Sequence, residues 1–334
     1  MSFTPNFVKT PLKDLSYYRT GGETLGIIAP LSIDDMLRSV NWLLESGKPY
    51  FILGGGTNSL VSDEFWDGYV ISCHMLDKIA VKGQNIVAGA GVVNSKMVEV
   101  ARDHGLGDIS WMYKLPGQVG GTVRMNARCY GGEISHVVSR VTVVTKMGQI
   151  KHYSDPSSLF RGYKDTVFME NGDIICEAEV SLKKLDASSL DAVIQKMSFC
   201  EQDRATKGQF LHPTCGCVFK NNYDPKVSIS SGMLLEHTDM KGKTLGGAEV
   251  SQGHANFVYN KNGGSADILE LSFLMREQVY EKYGVWLEYE MEFLGSLTEQ
   301  QEQRLFTKRS FTKDSDKLES LKSLREKFQK KLNG

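Results

Sequence analysis

The sequence predicts an α+β protein with two or three domains, and three observations support this fold class. The 334 residues exceed the roughly 100 to 200 residues of a typical single domain. A strand-helix-strand unit near the N-terminus ends in a glycine-rich loop, and short β-rich runs dominate from Tyr69 to Leu182. A third region, residues 208–295, mixes strands with one long helix. We therefore expect strand-rich and mixed domains in one chain.

The N-terminal unit has a clear local pattern. Residues 24–30 (TLGIIAP) predict a strand, and residues 50–53 (YFIL) predict a second strand that runs directly into three glycines. Between them, Ser32 and Asp35 form a candidate capping box for a helix that Gly47 ends. One face of this helix is apolar and carries Met36, Val40, Leu43 and Leu44.

Short apolar runs in the middle of the chain predict a mainly antiparallel subdomain. The runs GYVIS, NIVAGAG, RVTVVT and IICEAEVSL are separated by Gly, Asn or Asp turn signals. A helix is predicted over residues 95–104. A helical connector is predicted over residues 186–206, with Ser188 and Asp191 placed as a capping box.

The third region and the tail complete the chain. The strings GCVFK, HANFVYN and LEYEMEFLG predict strands, and residues 266–283 predict a helix that Ser265 can cap and Gly284 can end. Beyond Gly295 follows a charged tail whose last part is predicted to be an amphipathic helix packed on the body. The tail residues at helical spacing are Leu318, Leu321, Arg325, Phe328 and Leu332.

Charge and cysteine content exclude several classes of function. A net charge of -1 gives no basic excess to neutralise a nucleic-acid backbone, so nucleic acid is not an expected partner. We find neither an apolar signal core nor the roughly 18 consecutive apolar residues of a membrane span, so we expect a cytoplasmic protein without a membrane partner. Six cysteines are too few for a disulfide scaffold and lack zinc spacing, which favours reduced thiols and no metal site. Only Cys215 and Cys217 lie close together in the sequence, and this CxC pattern is compatible with a redox pair or with half of a metal site.

Two glycine-rich segments are candidate ligand cradles. Residues 54–56 are all glycine, which leaves backbone N–H groups unobstructed, and three polar side chains follow, Thr57, Asn58 and Ser59. Residues 115–133 begin with LPGQVGG, where glycines permit close approach to a flat or phosphorylated ligand. A GAG sequence lies between the two segments.

Neither segment is a known nucleotide-binding fingerprint. The first lacks the GK[ST] ending of a Walker A loop, and no GxGxxG is followed by a helix. A phosphotransferase with a GGG loop would also need a lysine and metal-binding carboxylates. Each segment alone is compatible with a plain turn, but two of them flanking one β-rich subdomain favour a single cradle.

Seven segments, taken in order, resemble the UDP-N-acetylenolpyruvoylglucosamine reductase (MurB) family. They are ILGGGTNSLVSD, GAGV, LPGQVGGTVRMNA, YKDTVF, GCVFKN, MKGKTLGGAEVSQGHANFVYN and GVWLEYEMEFLG. The resemblance implies a vanillyl-alcohol-oxidase-type (PCMH-type) FAD-binding domain in two subdomains, plus a separate α/β substrate-binding domain. The expected boundaries are residues 1–73 and 74–199 for the two subdomains, 200–295 for the substrate domain and 296–334 for the helical tail.

The resemblance also implies an activity. FAD would be the cofactor and NADPH the reductant, and the substrate would be a UDP-sugar whose enolpyruvyl ether is reduced to give UDP-N-acetylmuramate for peptidoglycan. Hydride addition at C3 leaves a carbanion or enol at C2 that must be stabilised and then protonated. A monomer or a weak oligomer is expected. Two other functions stay open, another FAD oxidoreductase of the same fold and a nucleotide-sugar-binding pseudoenzyme.

Two of the implied catalytic residues supply protons or hydrogen bonds. Cys217 in GCVFKN stands where the family usually has serine, and a thiol, with a reference pKa of about 8.5, is a better acid than an aliphatic hydroxyl. Glu290 in LEYEMEFLG matches the family's catalytic carboxylate. Residues two apart in a strand share one face of the sheet, so Glu288 and Glu292 would lie on the same face as Glu290. Only the motif selects Glu290 among the three.

The third implied catalytic residue departs from the family pattern. Where the family usually reads Phe-x-Tyr-Arg-x-Ser, this chain places Lys164 at the arginine position. An ammonium supplies charge without the two-pronged donor geometry of arginine. Arg161 is the alternative if the register shifts, and Arg128 in NARCYG is a second cation that we expect near the site.

The resemblance further assigns binding residues. For the substrate they are Tyr163, Arg204, Lys207, Asn221, Lys241 and His254. For the cofactor they are Gly54, Gly55, Gly56, Thr57, Asn58, Ser59, Gly89, Gly91, Pro116, Gly117, Gly120, Gly121 and Asn126. The alternative for Arg204 and Lys207 is ordinary connector surface, and for His254 it is a buried core histidine. No extra loop separates FKNN from SSGMLLEH, which is typical of the loop-lacking (type II-like) subtype with a more open cleft.

Overall fold

The computed structural model describes residues 3–107, 109–221 and 226–333, with side chains described as far as residue 327. The chain folds as two compact units, each with its own hydrophobic core. The segments of the first unit are Met1–Leu15, Glu23–Thr57 and Phe65–Ala205, and those of the second are Ser16–Gly22, Asn58–Glu64 and Thr206–Gly334.

Helices and strands alternate irregularly along the chain, as expected for an α+β protein. The helices are α1 (Leu12–Leu15), α2 (Ile33–Ser46), α3 (Asn94–Asp103), α4 (Val119–Arg124), α5 (Ala187–Thr206), α6 (Ser231–Glu236), α7 (Ser265–Tyr283), α8 (Glu299–Phe306) and α9 (Ser315–Asn333). The strands are β1 (Phe7–Val8), β2 (Thr24–Ile28), β3 (Tyr50–Leu53), β4 (Ser59–Val61), β5 (Trp66–Ser72), β6 (Ile79–Lys82), β7 (Asn85–Gly89), β8 (Leu106–Gly107), β9 (Arg128–Cys129), β10 (Gly132–Glu133), β11 (Val138–Val144), β12 (Ile150–Tyr153), β13 (Phe160–Gly162), β14 (Asp165–Thr166), β15 (Ile174–Ser181), β16 (Lys183–Lys184), β17 (Thr244–Leu245), β18 (Ala248–Val250), β19 (Val258–Asn260) and β20 (Glu292–Leu294).

The first sheet of the first unit has the order β1-β2-β5-β3. β2, β5 and β3 run parallel, and β1 pairs antiparallel at the edge. The predicted cap of α2 is confirmed, because Ser32 Oγ accepts a hydrogen bond from Asp35 N and Gly47 adopts the left-handed conformation (φ 64°). Two expectations were wrong. GYVIS belongs to this parallel sheet as β5, and Leu44 is exposed on α2 rather than part of its buried face.

The second sheet of the first unit has the order β12-β11-β15-β7-β6, with every neighbouring pair antiparallel. This confirms the predicted antiparallel subdomain. α3 and the long connector α5 lie within two residues of their predicted bounds. The predicted cap of α5 was wrong, since Asp186 Oδ1, and not Ser188, accepts the hydrogen bond from Ser189 N at 2.8 Å.

The second unit is built around α7, with the strands β17-β18-β19 and the parallel pair β4 and β20. Gly284 ends α7 as predicted. Ser265 is not its cap but its first residue. Asp63 Oδ2 accepts a hydrogen bond from Ser265 N (2.6 Å), and Asp63 N donates to Ser265 Oγ (3.0 Å). The helix start is therefore satisfied by a residue from a distant part of the chain.

The tail contributes α8 and α9 to the second unit, so the predicted terminal helix is confirmed. α9 buries Leu321 and Leu324 in the second core, whereas Leu318 is 38% exposed. The side chains of Phe328 and Leu332, which we expected on the same face, lie outside the described residues.

Candidate active site

The two predicted glycine segments meet in the first unit. A side chain at Gly55 would place its Cβ 3.4 Å from the Cα of Gly117, and Thr57 Oγ1 donates a hydrogen bond to Pro116 O at 3.3 Å. The loop that follows β3 therefore lies directly against the start of the LPGQVGG segment, and the two segments form one continuous surface.

The GAG sequence joins this surface through backbone hydrogen bonds. Gly120 N donates to Ala90 O (2.9 Å), Val119 N donates to Val92 O (2.9 Å), and a Cβ at Gly120 would lie only 2.8 Å from that of Ala90. Three loops that are far apart in sequence thus converge at the start of α4.

Gly89 and Gly91 have a packing reason for being glycine. A Cβ at Gly89 would lie 2.1 Å from Leu76 O, and one at Gly91 would lie 2.3 Å from Cys73 O. Both distances are far below a possible van der Waals contact. Close backbone packing accounts for these two glycines, and their role toward a cofactor stays a prediction.

The surface fits a flavin nucleotide in two respects. A Cβ at Gly121 would meet no atom within 4 Å, so the start of α4 faces open space. Gln118 Oε1 and Asn126 Oδ1 are buried acceptors for which the described residues provide no hydrogen-bond donor. Buried acceptors require donors, and the imide N–H and ribityl hydroxyls of a flavin are groups of that kind. Gln118 was not among the predicted cofactor residues, although its place between Gly117 and Val119 could have indicated it.

Lys164 lies at the tip of a tight hairpin formed by β13 and β14. Its φ of 53° is in the left-handed region, which a non-glycine residue adopts only when the surrounding structure imposes it. Arg161, the alternative cation, is engaged on the hairpin itself. Its guanidinium donates to Asp165 Oδ1 (2.6 and 2.9 Å) and to Glu170 Oε2 (2.9 Å), and these carboxylates raise the pKa of Arg161. The choice of Lys164 as the catalytic cation stays a prediction.

Arg128 lies beside this hairpin, and its place near the substrate stays a prediction. Its guanidinium stacks on the ring of Tyr163 at 4.6 Å and forms an ion pair with Glu133 at 3.6 Å. Asn126 Nδ2 bridges the same elements, since it donates to Glu133 Oε1 (2.7 Å) and to Gly162 O (2.9 Å). Hydrogen bonds from Ser135 and Asn126, together with nearby cations, lower the pKa of Glu133 against the opposing effect of burial.

Glu290 and the segment that carries Cys217 are held together in the second unit. Val218 O accepts hydrogen bonds from Glu290 N (2.9 Å) and Met291 N (3.2 Å). Asn58 Nδ2 donates to Glu290 O at 2.8 Å, which fixes the same peptide from the other side. The segment GCVFK was predicted to be a strand, but it forms isolated β-bridges instead. In one of them Cys217 pairs with Phe257. Glu288 is exposed, whereas Glu290 and Glu292 are half-buried.

The two cysteines of the CxC sequence differ in environment. Cys217 is half-buried, while Cys215 is buried and its Sγ donates to Ser59 O at 3.2 Å. Burial raises the pKa of Cys215 well above its ordinary value. All six cysteines are free thiols, and the described residues contain no cluster of His, Cys, Asp or Glu that could hold a metal ion.

Arg204 differs most from its expected setting. It is 6% exposed in the first unit, where its guanidinium stacks on the ring of Tyr130 at 5.0 Å and donates to Cys129 Sγ at 3.2 Å and Trp111 O at 3.4 Å. Tyr130 in turn donates to Asp203 at 2.6 Å. Arg204 is thus neither connector surface nor an exposed cation, and its substrate role stays a prediction.

The remaining predicted substrate residues lie in the second unit. Lys207 is exposed, Asn221 is half-buried and Lys241 forms an ion pair with Glu236. His254 stacks on Phe257 with ring centroids 4.4 Å apart.

The ring of His254 is held in its neutral form. Its Nδ1 accepts a hydrogen bond from Asn256 N at 3.2 Å, and burial, assisted by the charges of Lys207 and Lys241, lowers its pKa. It lines a cavity of about 430 Å³ together with Glu236 and residues of α6 and α9.

The candidate residues therefore fall into two groups. The glycine loops, the hairpin with Lys164 and the stacked Arg128 belong to the first unit, and Cys217, Glu290 and His254 belong to the second. Within the described part of the chain, no helix has the length and apolar character to cross a membrane.

Two family models match the chain in separate regions. Residues 208–294 match the C-terminal domain of UDP-N-acetylenolpyruvoylglucosamine reductase, and residues 24–154 match an FAD binding domain. The first match contains Cys217 and Glu290, and the second contains the three glycine loops.

Individual proteins are similar over most of the chain. The UDP-N-acetylenolpyruvoylglucosamine reductase of Lactobacillus acidophilus is 34% identical over 286 residues, which cover 85% of this chain and 93% of that protein. The reductase of Streptococcus pneumoniae is 33% identical over 86% of this chain and 93% of its own length. Among solved structures, the MurB reductase of Thermus caldophilus aligns with a TM-score of 0.72 and 28% identity, covering 87% of this chain and all (100%) of that one.

Proposed function

Because the chain belongs to the UDP-N-acetylenolpyruvoylglucosamine reductase (MurB) family, we propose that it is an FAD-containing, NADPH-dependent oxidoreductase of peptidoglycan synthesis. It converts the enolpyruvyl ether of UDP-N-acetylglucosamine to UDP-N-acetylmuramate. The fold agrees with this assignment, since a PCMH-type FAD-binding domain precedes the family's C-terminal domain.

The observation that carries the proposal is the hydrogen bond from Glu290 N to Val218 O. It holds the backbone next to Cys217 against the backbone of Glu290, so the two residues that the reaction needs for proton transfer and enolate binding share one framework. The converging glycine loops supply the second requirement, a surface with open space and buried acceptors for a flavin.

The role of Cys217 follows from the charge that develops on the substrate. The glycine loops would hold FAD, which, when reduced with NADPH, would provide the hydride that C3 of the enolpyruvyl group receives. Negative charge then accumulates at C2 and on the adjoining carboxylate, and Cys217 donates its thiol proton to C2. The resulting thiolate recovers a proton from solvent, so the residue is regenerated in each turnover.

The other two groups stabilise the enolate before the proton arrives. Glu290, acting as a carboxylic acid, donates a hydrogen bond to it, and its peptide is fixed by Val218 and Asn58. Lys164 provides the positive charge from a hairpin tip whose conformation the fold imposes. Arg128 supports that hairpin through Tyr163 and adds a second cation next to it.

We assign substrate recognition to cations, amides and one imidazole. Lys207, Lys241 and Asn221 suit a diphosphate and a uridine, and neutral His254 can donate from Nε2, because its Nδ1 is already an acceptor. Arg204 and Tyr163 complete the assigned set. The free thiols agree with a reducing compartment, so we place the protein in the cytoplasm.

One purification tests the proposal. The protein should be yellow, NADPH should bleach the flavin absorbance under anaerobic conditions, and the enolpyruvyl nucleotide should restore it with formation of UDP-N-acetylmuramate. Restoration by a sugar or an alcohol instead would indicate another oxidoreductase of this fold. Absence of bleaching combined with tight binding of the UDP-sugar would indicate a binding protein.

Cys217 provides the sharper test of mechanism. In Cys217→Ala, NADPH should still bleach the flavin, but the substrate should no longer restore the absorbance. Cys217→Ser, which introduces the residue usual in the family, is the matched control and should retain turnover. Normal turnover by the alanine variant would remove Cys217 from the mechanism.

A further inference from the structure

Arg276 is a buried cation in the middle of α7. It is 3% exposed and lies among aromatic rings, 4.2 Å from the ring centroid of Trp286, 4.6 Å from that of Tyr289 and 5.7 Å from that of Phe273. Burial lowers the pKa of Arg276, which reflects the cost of removing a guanidinium from water. A charge in such a place needs a structural or functional reason.

The guanidinium of Arg276 binds the end of a tail helix. Nη1 donates to Leu305 O at 3.2 Å, and Nη2 donates to Arg304 O, both in the last turn of α8. Carbonyls at a helix C-terminus lack partners within the helix and carry partial negative charge, so a cation is favoured there. Arg276 thus ties the tail to α7.

The same guanidinium supports the residue that precedes Glu290. The ring of Tyr289 contacts both Arg276 and Phe219, with its centroid 4.9 Å from that of Phe219, and its hydroxyl contacts Ser272 Oγ at 3.0 Å. Phe219 and Tyr289 also pair through a backbone bridge. Tyr289 is therefore held by contacts to its ring and to its hydroxyl.

These contacts form a continuous path from the tail to the candidate acid. Phe219 follows Val218, whose carbonyl accepts the hydrogen bond from Glu290 N, and Cys217 precedes it. The path runs from α8 through Arg276, Tyr289 and Phe219 to the backbone that presents both residues. α8 lies beyond residue 294, where the match to the family's C-terminal domain ends.

We propose that Arg276 is a positioning residue, which braces Tyr289 against α8 and thereby fixes the backbone that presents Cys217 and Glu290. The inference rests on the proposed function for its catalytic consequence. Its structural consequence, a rigid backbone at Glu290 that depends on the tail, can be measured without cofactor or substrate.

Two measurements on Arg276→Met test the brace. Hydrogen exchange followed by mass spectrometry should show faster exchange of the Glu290 and Met291 amides, which donate to Val218 O, with little change elsewhere in the second unit. In the loaded enzyme, reoxidation by the enolpyruvyl substrate should slow on the order of ten- to hundredfold. Flavin reduction by NADPH and KM for the substrate should stay as in the wild type.

Arg309→Met is the matched control, because Arg309 also comes from the tail and stacks on Tyr280 and Trp286 at 4.9 and 4.8 Å. It should leave both the exchange of the Glu290 amide and the rate of reoxidation unchanged. Arg276→Lys keeps the charge but loses the forked donor geometry, and should show intermediate effects.

Three results would overturn the brace. The first is an exchange rate of the Glu290 amide in Arg276→Met that equals the wild-type rate. The second is an equal rise in amide exchange throughout the second unit of that variant. The third is the same set of changes in Arg309→Met. If Arg276→Met does not fold, the Arg276→Lys variant tests the proposal in its place. Wild-type rates of Glu290 amide exchange and of flavin reoxidation in that variant would refute the proposal. Failure of the wild-type protein to reduce the enolpyruvyl substrate would refute the proposed function alone, since the exchange measurement would still test the brace.

Discussion

Replacing Gly121 with alanine should stabilise the protein without cofactor and weaken its binding of FAD. A Cβ at this position would meet no atom within 4 Å, and Gly121 lies inside α4. Alanine reduces the conformational entropy of the unfolded chain, so the free energy of unfolding should rise by about 0.5–1 kcal/mol. For a chain of this size, that corresponds to an increase in Tm of about 2 °C.

The opposite effect on FAD follows from the same open space. If the flavin nucleotide occupies the region that Gly121 leaves clear, an added methyl group must displace the ligand or the helix. Overpacking of this kind costs about 1–3 kcal/mol, which is roughly a ten- to hundredfold increase in the Kd for FAD. The variant should therefore be more stable than the wild type when empty and less stabilised by the cofactor.

Thermal unfolding with and without FAD, together with equilibrium dialysis, measures both quantities. The neighbouring Gly120→Ala is the control. Its Cβ would lie 2.8 Å from that of Ala90, so this variant should unfold more easily even without cofactor. Unchanged FAD affinity in Gly121→Ala would refute the placement of the cofactor at the start of α4, whatever the change in Tm.

Three other predictions address separate parts of the molecule. Arg128→Ala should lower the rate of reoxidation by substrate, because the hairpin with Lys164 loses the stack on Tyr163; equal rate and equal substrate affinity would remove Arg128 from the site. The folded pKa of His254 lies below its unfolded value of about 6.5, so the unfolded state binds more protons and the free energy of unfolding should fall as pH drops below about 6.5. Urea unfolding across this range should give a shallower pH dependence for His254→Gln, and an identical slope would contradict the assignment. Asp63→Ala should lower the free energy of unfolding by about 1–2 kcal/mol because α7 loses its cap, and a change within error in urea unfolding would show that the cap contributes nothing.

Local signals predicted the elements that depend on local interactions. The start of α2 at Ser32 and its end at Gly47 follow from the hydrogen-bonding and conformational preferences of those residues alone. The bounds of α7 were also predictable, but its cap was not, because Asp63 lies 202 positions before Ser265. The prediction that Leu44 belongs to the buried face of α2 was wrong, because an apolar side chain at the edge of a helix face does not show whether the core extends that far.

The candidate site was predictable to the extent that its chemistry resides in short motifs. The glycine loops could be identified from their sequence, yet only the fold reveals that Gly89 and Gly91 are glycine because of Leu76 and Cys73. GCVFK looked like a strand, but its partners are two separate segments and the side chain of Asn256, whose Oδ1 accepts from Phe219 N.

Two arginines mark the limit of reasoning from sequence. The position of Arg204 in RATK gave no sign that Tyr130 and Trp111 would enclose it. Arg276 belongs to no motif at all. Its importance emerges only when the aromatic rings and tail carbonyls around it are known.

The interleaving of the two units has a consequence for synthesis on the ribosome. The strand that starts at Ser59 pairs with residues 292–294, and the neighbouring Asn58 bonds to a carbonyl 232 positions later. The second unit therefore cannot complete its fold until almost the whole chain has emerged, whereas the sheets of the first unit have all their strands by residue 184. During translation β4 therefore cannot form its ladder with β20 until residues 292–294 have been made, so the second unit should complete its fold late.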